Sequence, residues 1–438
     1  MKYEEFLTCI EGWDHPGIAL GLERIERLLE ILDNPQKELK YIHVAGTNGK
    51  GSVCAFLDSV LRGAGFRVGR YISPTLYDYR ERIQVNNRYI EKDEVVALFE
   101  KVQKACESMK AEGRELPTVF EVETALAFLY FKEKKCDYVL LEVGMGGRLD
   151  STNVIENPEV AVITSIALDH TRMLGSTLTE IAEEKGGIIK AGSPVILGPQ
   201  DREAMITLEA ICKKKGIIPV VADLDRLEHV GWDTIHQVFS YKEYQKLELS
   251  LLGDYQCMNA AVALEVLDLL KEKETAITED VIRRGMKEAK WAGRFEVVLR
   301  EPFVVVDGAH NPAGAKALVE TIQNHFQDKK ILLVMGVFKD KDYRKIAETL
   351  SSVSDSICCY TPQHERKLSG EKLAEAIKPY FEHITVKETV EEAIAYAMEQ
   401  VDKKDMVVSF GSLSTIRAAE TAVKRWGESR GTCRKNIE

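Results

Sequence analysis

The sequence predicts an α/β protein with an N-terminal, mostly parallel sheet covered by helices on both faces and a smaller C-terminal Rossmann-like α/β domain. Short β-branched runs alternate with amphipathic stretches through most of the chain, which is typical of parallel sheets. The 438 residues exceed one hydrophobic core at about 150 residues per domain. A new series of strands and helices begins at residue 303. We therefore predict two domains, residues 1–297 and 298–438.

Strands are predicted where short apolar runs lie between turn residues, and helices where apolar residues recur at three- and four-residue spacing. The first five predicted strands are expected to share one sheet. The predicted strands are 41–45, 67–72, 137–143, 159–164, 194–197, 303–306, 331–335, 356–360 and 406–410. The predicted helices are 18–33, 51–63, 92–111, 120–134, 177–189 and 256–272.

Two segments connect these regular elements. Residues 232–252 alternate between apolar and polar side chains like a hairpin, which predicts an antiparallel flank. The segment WAGRFEVVLREP, residues 291–302, lies between a charged helix and the buried strand at 303. We expect the domain boundary in this segment, near 295–302.

Composition restricts the location and the partners of the protein. Hydrophobic residues make up 45% of the chain and charged residues 29%, and no stretch approaches the roughly 20 apolar residues that span a bilayer. The acidic start MKYEEFLTCIEGWDHPG has no signal-peptide pattern, so we expect a cytoplasmic protein with no membrane partner. The nine scattered cysteines predict reduced thiols. A net charge of −11 argues against nucleic-acid binding, although a local cationic site can still bind a small anion.

A glycine-rich turn joins a predicted strand to a predicted helix in YIHVAGTNGKGSVCAFLDSVL. Its glycines let the backbone wrap closely, so that amides and a helix N-terminus point at phosphate oxygens while Lys50 neutralises charge. Val44 and Gly51 depart from the strict phosphate-loop pattern, and an ordinary strand-to-helix turn with a solvated lysine is the alternative. The loop predicts a first domain of the phosphate-loop ATPase type. The expected ATP-binding residues are Gly46, Thr47, Asn48, Gly49, Lys50, Gly51 and Ser52.

Three polar residues follow predicted strands and are candidate magnesium ligands. Glu142 ends the apolar run YVLLEV, where a buried carboxylate needs a cation; Arg148 is the alternative partner to magnesium. His170 follows the next strand and could complete a metal shell or cap the chain. Ser73 could supply the hydroxyl that Gly51 lacks, or could be a turn serine before Pro74.

Lys185 lies in IAEEKGGIIKAG beside two glutamates. Composition alone favours a solvated helix face with charge pairs.

Taken together, the motifs resemble the Mur ligase superfamily and, within it, the folylpolyglutamate and dihydrofolate synthases. The matches run in order along nearly the whole chain, and this ordered set supports the resemblance more strongly than any single motif could. They are GTNGKGS (46–52), YISP (71–74), ERI (81–83), PTVFEVETA (117–125), EVGMGGRLDSTN (142–153), LDHTRMLGSTLTEIAEEKGGIIK (168–190), NAA (259–261), WAGRFE (291–296), DGAHNP (307–312) and SFGSLS (409–414).

The resemblance assigns roles to individual residues. Ser73, Glu142 and His170 match magnesium ligands, and Lys185 matches a lysine that relatives carry as a carbamate, which overturns the solvated interpretation. The implied nucleotide contacts outside the loop are Asn259, Arg294 and Asp307. The implied catalytic residues are Lys50, Lys185, Asp307 and His310. The implied substrate-binding residues are Arg82, Phe120 and Glu121 on the folate side and Ser412 for the glutamate α-carboxylate.

Phe120 could instead be a buried phenylalanine at the start of a helix. Asp307 and His310 could instead stabilise an ordinary turn. The chain departs from the family at Tyr255, where relatives often have histidine, and at Gly186, where many have alanine.

The implied activity is an ATP-dependent amide ligase that adds L-glutamate to folate, and also to dihydropteroate, through an acyl phosphate. ATP and two Mg²⁺ ions are the expected cofactors, and a monomer is the expected state. A peptidoglycan-precursor ligase is the first rival, and the lack of room for a preceding uridine-nucleotide domain counts against it. A phosphate-loop switch protein is the second rival. It is disfavoured by the complete second domain carrying DGAHNP.

Overall fold

The computed structural model describes residues 1–13, 20–233 and 235–429. These residues cluster into two compact units. The first comprises the described residues of Met1–Leu227 together with Met258–Ala289, and the second comprises those of Glu228–Cys257 and those from Lys290 onward. None of the described helices is long and apolar enough to cross a bilayer.

The first unit is built on an eight-stranded sheet in the order β4-β3-β2-β5-β1-β6-β7-β8. From β2 to β8 in this order all neighbouring strands pair in parallel, and at the other end the pairs β2–β3 and β3–β4 are antiparallel. The prediction that the first five strands share a mostly parallel sheet is confirmed. The strands are β1 (Tyr41–Ala45), β2 (Val68–Tyr71), β3 (Ile83–Val85), β4 (Arg88–Tyr89), β5 (Tyr138–Glu142), β6 (Val160–Ile163), β7 (Val195–Leu197) and β8 (Val220–Val221).

Helices accompany this sheet, and five of the six predicted ones agree with the observed bounds to within three residues. The predicted helix 18–33 begins only at Glu23, although its residues 18 and 19 lie outside the described residues. Thr118 and Thr177 begin their helices by accepting a hydrogen bond from a backbone amide of the first turn, as N-cap threonines do. The helices are α1 (Tyr3–Glu11), α2 (Glu23–Ile31), α3 (Lys50–Gly63), α4 (Lys92–Ala111), α5 (Val119–Glu133), α6 (Thr171–Leu174), α7 (Leu178–Gly186), α8 (Arg202–Lys214), α9 (Asp254–Lys271) and α10 (Glu279–Glu288). Of these, α1, α6, α8 and α10 were not predicted.

A separate three-stranded sheet has the order β11-β10-β9, formed by β9 (Leu227–Trp232), β10 (Gln237–Tyr241) and β11 (Tyr244–Leu249). The predicted hairpin is present, because β10 and β11 pair antiparallel. The hairpin joins β9 rather than the eight-stranded sheet. Its buried Phe239 and Leu247 give it an apolar face of its own, and its residues cluster with the second unit.

The second unit contains a six-stranded sheet in the order β12-β13-β17-β14-β15-β16, parallel except for the edge pair β12 and β13. It confirms the smaller C-terminal α/β domain, while the exact boundary at 297/298 stays a prediction. The strands are β12 (Glu296–Arg300), β13 (Phe303–Val306), β14 (Ile331–Met335), β15 (Ser356–Cys359), β16 (His383–Val386) and β17 (Met406–Phe410). The helices are α11 (Pro312–His325), α12 (Tyr343–Leu350), α13 (Gly370–Ile377), α14 (Val390–Gln400) and α15 (Ile416–Ser429).

Candidate active site

The predicted site residues of the first unit follow adjacent parallel strands at one edge of the sheet, which we call the first carboxyl edge. The strands β2, β5, β1 and β6 are neighbours in that order. Ser73 follows β2, Glu142 ends β5, and the phosphate loop follows β1. His170 follows β6 after a short loop. Because parallel strands end together, the fold brings the segments that carry these residues to one edge.

At two positions of the phosphate loop, the backbone has a conformation that favours glycine. Gly46 has φ of +147° and Gly49 has φ of +92°, in the region that residues with side chains rarely adopt. A Cβ at Gly49 would lie 2.3 Å from Oδ1 of Asn259 on α9. The structure therefore brings Asn259, predicted to contact nucleotide, directly against the loop.

The loop is braced by the segment that follows β6. The amide of Thr47 donates to the carbonyl of Ser165 at 2.8 Å, and the hydroxyl of Thr164 donates to the carbonyl of Asn48 at 2.7 Å. The hydroxyl of Thr47 accepts from the amide of Ala167 at 3.0 Å. Sequence reasoning missed Thr164 and Ser165. Their position directly after the strand next to β1 was the signal that could have found them.

Two lysine ammonium groups converge on one backbone oxygen of the loop. Lys50 Nζ donates to the carbonyl of Gly46 at 3.1 Å, and Lys185 Nζ donates to the same oxygen at 2.9 Å. Lys185 is only 5% exposed, so the interpretation as a solvated lysine is wrong. It lies on the buried stripe of α7 with Ile181 and Ala182, whereas Glu183 is exposed. Burial and then the nearby Lys50 charge lower the pKa of Lys185 to about 7.

The loop after β5 holds α7 in place. A Cβ at Gly147 would lie 2.7 Å from the carbonyl of Glu184 and 3.0 Å from Cα of Lys185, so these backbones touch. The amide of Arg148 donates to the carbonyl of Glu184 at 2.7 Å, and its guanidinium pairs with the Glu184 carboxylate at 2.5 Å. Arg148, considered as an alternative partner for Glu142, therefore pairs with α7.

A buried polar chain lies behind this loop. Asp150 accepts from the amide of Met145 at 2.8 Å and from the hydroxyl of Thr152 at 2.6 Å. His43 of β1 is fully buried, and its Nε2 lies 2.9 Å from the Thr152 hydroxyl. Burial raises the pKa of Asp150 and lowers the pKa of His43 to about 3. These residues fix the loop but were not among the predicted site residues.

The three candidate metal ligands differ in their exposure. Glu142 is 4% exposed, Ser73 is half-buried and His170 is exposed at the start of α6. His170 has φ of +51°, and its amide donates to Oδ1 of Asp169 at 2.8 Å. The donor set is one carboxylate, one hydroxyl and one imidazole. Oxygen donors of this kind suit Mg²⁺, and an imidazole can occupy a further position.

The predicted folate-side residues lie around α5. The ring of Phe120 packs on Gly144, whose Cβ would lie 2.5 Å from it, and stands 5.8 Å from the ring of Tyr71. Arg82 Nη1 donates to Glu123 at 2.7 Å. Their roles in substrate binding stay predictions.

Glu121 has a structural role of its own. Its carboxylate accepts from the amide of Thr118 at 2.6 Å, closing a capping box, and from Arg24 Nε at 3.1 Å. A role in substrate binding for Glu121 also stays a prediction.

In the second unit, Asp307 follows β13 and is held by three donors. Its Oδ2 accepts from the hydroxyl of Tyr255 at 2.9 Å and from the amide of Phe295 at 2.7 Å, while Oδ1 accepts from the amide of Ala309 at 2.7 Å. A Cβ at Gly308 would lie 1.9 Å from Nη1 of Arg294. Arg294 and Asp307, both predicted to contact nucleotide, therefore meet at one turn.

His310 and Ser412 lie at the same edge of the second sheet, which we call the second carboxyl edge. Nδ1 of His310 lies 2.7 Å from the carbonyl of Gly308, and the amide of Gly411 donates to the carbonyl of Ala309 at 3.0 Å. Ser412 is buried, and its Oγ lies 2.8 Å from Oγ of Ser414. The turns after β13 and β17 are thus packed together.

Comparisons with known proteins agree with this arrangement. The Mur ligase middle domain matches residues 44–267, and the glutamate ligase domain of Mur ligases matches residues 293–413. The chain is 37% identical over 363 residues to the dihydrofolate synthase/folylpolyglutamate synthase of Bacillus subtilis, covering 81% of this chain and 84% of that protein.

Two solved structures are similar over nearly their whole length. Folylpolyglutamate synthase of Mycobacterium tuberculosis, complexed with ADP, has a TM-score of 0.87 at 31% identity, covering 96% of this chain and 97% of that one. A bifunctional folylpolyglutamate synthase/dihydrofolate synthase with Mn, AMPPNP and L-glutamate bound has a TM-score of 0.82 at 33% identity, covering 97% and 98%. The chain belongs to the folylpolyglutamate and dihydrofolate synthase family of Mur ligases.

Proposed function

We propose that the protein is an ATP-dependent ligase that joins the amino group of L-glutamate to a carboxylate of a folate, and also to that of dihydropteroate. One observation carries the proposal: two lysines, one of them buried, converge on the glycine-rich loop that begins α3, at the edge where Glu142 ends its strand. Cations, loop amides and a helix N-terminus together form a site for a nucleotide phosphate chain.

The reaction needs activation because a carboxylate does not condense with an amine at neutral pH. ATP transfers its terminal phosphoryl group to the carboxylate, which gives an acyl phosphate and ADP. The free amino group of glutamate attacks the acyl carbon, phosphate leaves, and one proton is released from the nitrogen. The protein contributes positioning and charge stabilisation to this sequence.

The proposed nucleotide contacts come from several segments of the chain. Lys50 and the amides of the loop bind the phosphates. Lys50 Nζ now donates to the carbonyls of Gly46 and Thr47, and it can exchange these acceptors for phosphate oxygens. Asn259, which already lies against Gly49, and Arg294 and Asp307, which meet at one turn, contact the nucleotide. His310 lies two residues beyond Gly308 and serves the same site.

Ser73, Glu142 and His170 fit the coordination shell of divalent ions, since their hydroxyl, carboxylate and imidazole are suitable donors. The proposed number of ions is two. Mg²⁺ bound there would neutralise charge on the phosphates of ATP. The similar structure that contains Mn, AMPPNP and L-glutamate supports a requirement for a divalent ion.

Lys185 carries a carbamate in the active protein. Its pKa of about 7 leaves a large neutral fraction at neutral pH, and only the neutral amine can attack CO₂, forming a carbamate and releasing one proton. The modification replaces a buried cation by an anion beside Lys50. Incubation with ¹³C-bicarbonate should give a carbamate carbon signal by NMR, and the Lys185→Met variant should lack that signal.

Ser412 and the amides of its turn bind the α-carboxylate of glutamate at the second carboxyl edge. Phe120 provides an aromatic face for the pterin, with Arg82 and Glu121 near it on the folate side. A cytoplasmic location, a monomeric state and the absence of a nucleic-acid partner stay predictions.

The test measures ADP release with magnesium-ATP and glutamate, in the presence of dihydropteroate, of tetrahydrofolate or of no acceptor, with mass spectrometry of the products. Stimulation by dihydropteroate with a product carrying one glutamate supports the synthase activity, and extension of tetrahydrofolate supports the polyglutamate activity. Stimulation by a peptidoglycan precursor and by no pterin would overturn the proposal.

A further inference from the structure

We propose that Tyr255 is a positioning residue of the nucleotide site, whose hydroxyl fixes the Asp307 carboxylate in the orientation that nucleotide binding requires. The inference deepens the proposed function and rests on it, because Asp307 is proposed there to contact ATP. Tyr255 stands where the resemblance leads one to expect histidine, and the structure shows what its hydroxyl does instead.

The hydrogen bonds of Asp307 leave a defined part of the carboxylate for a ligand. Tyr255 and the amide of Phe295 both donate to Oδ2, and the amide of Ala309 donates to Oδ1. A carboxylate offers about four acceptor positions, so these three donors leave capacity mainly on Oδ1. Tyr255 supplies the only side-chain donor among these three contacts.

The phenol of Tyr255 is itself held rigidly. A Cβ at Gly253 would lie 2.7 Å from Cε1 of Tyr255, so the ring packs directly on the backbone of a glycine with φ of +107°. The ring also packs on the apolar cluster of the second sheet, which includes Phe295. Burial of the phenol and the nearby Asp307 carboxylate raise the pKa of Tyr255 well above 10, which keeps the hydroxyl protonated as a donor.

Arg294 explains why the orientation matters. Its guanidinium lies over Gly308, the residue immediately after Asp307. If the Tyr255 hydroxyl is removed, Oδ2 keeps one donor and the carboxylate can turn towards the neighbouring cation. The Asp307 carboxylate and the Arg294 guanidinium would then bind each other instead of the nucleotide.

The test compares Tyr255→Phe, which removes only the hydroxyl, with the wild-type protein. Tyr41→Phe is the matched control, because its hydroxyl is also buried and donates to the carbonyl of Gln36 at 2.9 Å, far from the proposed site residues. ADP affinity is measured by calorimetry on each full-length variant, and KM and kcat are measured with magnesium-ATP. Asp307→Asn and the double variant with Tyr255→Phe complete a cycle.

We expect Tyr255→Phe to weaken ADP binding and raise the KM for ATP about tenfold, with a smaller change in kcat. Tyr41→Phe should match the wild type, and the double variant should bind ADP no more weakly than Asp307→Asn alone. An ADP affinity for Tyr255→Phe within about twofold of the wild type, or additive losses in the double variant, would overturn the proposal.

The ADP titration separates this inference from the proposed function. A wild-type protein that binds ADP but forms no glutamylated product would refute the proposed function, while the titration of the Tyr255 variants still decides the role of Tyr255. A wild-type protein that binds no ADP refutes both.

Discussion

The two carboxyl edges hold their charged groups in opposite ways. At the first, the cation Lys50 and the unmodified Lys185 amine share one neutral carbonyl, that of Gly46. At the second, the anion Asp307 accepts three hydrogen bonds at 2.7–2.9 Å. The first edge has positive charge that an incoming anion can engage, whereas the second has a carboxylate whose position is already fixed. We infer that the first edge supplies binding energy for phosphate and the second supplies orientation.

The largest expected effect comes from removing the cation of the loop. Lys50→Ala should lower kcat/KM for ATP by about 100-fold to 1,000-fold, because charge on the transferring phosphoryl group loses the cation that is proposed to stabilise it. Asp307→Asn should cost about tenfold, since an amide keeps part of the hydrogen bonding. ADP release measures both, and Lys101→Ala, which removes an exposed lysine paired with Glu133, is the control. Equal losses at the two edges would contradict the contrast drawn above.

The shape of the loop is tested by adding one methyl group. Gly49→Ala should destabilise the protein by more than the roughly 1–2 kcal/mol that a left-handed backbone costs a residue with a side chain, because its Cβ meets Asn259 at 2.3 Å. Gly65→Ala is a matched control: Gly65 has φ of +94°, and nothing lies within 4 Å of its Cβ position. Urea unfolding and ADP titration should show the larger loss for Gly49→Ala. Equal losses of stability and of ADP affinity in the two variants would mean that the Asn259 side chain moves away from the added methyl group at no cost.

A smaller effect is expected at the turn after β17. Ser412→Ala should raise the KM for glutamate about tenfold and leave the KM for ATP nearly unchanged, because the lost hydroxyl is proposed to contact the glutamate carboxylate. Ser414→Ala, which removes the hydroxyl hydrogen-bonded to Ser412, is the comparison and should change the KM for glutamate less. An increase confined to the KM for ATP would reassign this turn to the nucleotide.

The smallest effect concerns stability in acid and comes from His43. Its pKa is about 3 in the folded protein, below the ordinary 6.5, so the unfolded chain binds the additional proton as the pH falls from 6.5 towards 3. The free energy of unfolding should therefore fall with decreasing pH, by up to roughly 1 kcal/mol per pH unit from this group. Urea unfolding between about pH 7 and pH 5 should show a shallower fall for His43→Gln. Parallel curves for the two proteins would rule out this contribution.

Most of the fold could be predicted because its strands are short, buried and apolar. The predicted strand 41–45 matches β1 residue for residue, and the bounds of β5 differ by one residue at each end. Strand β9 was missed because its side chains are mostly exposed, so they show no apolar alternation. The clustering of 228–257 with the second unit was also invisible, since the division at Cys257 falls inside one continuous helix.

The site was predictable in its motifs but not in its contacts. GTNGKGS and DGAHNP indicate turns and charges, yet they do not show that Tyr255 reaches Asp307, because 52 residues separate the two along the chain. Lys185 is a different case. Ile181, Ala182, Ile188 and Ile189 are all buried, and their helical spacing already places Lys185 among them, so attention to periodicity rather than to the adjacent glutamates would have predicted its burial.

The shared carbonyl of Gly46 also affects how the protein should be handled in the laboratory. As long as Lys185 carries no carbamate, the two lysines bind a neutral oxygen and gain less than they would from a carboxylate, so small dianions in the solvent are attracted to this corner. Sulfate and inorganic phosphate in purification or crystallisation buffers should compete with nucleotide there. Apparent affinities for ATP should accordingly depend on the buffer anion, and at equal ionic strength they should be higher in chloride than in sulfate.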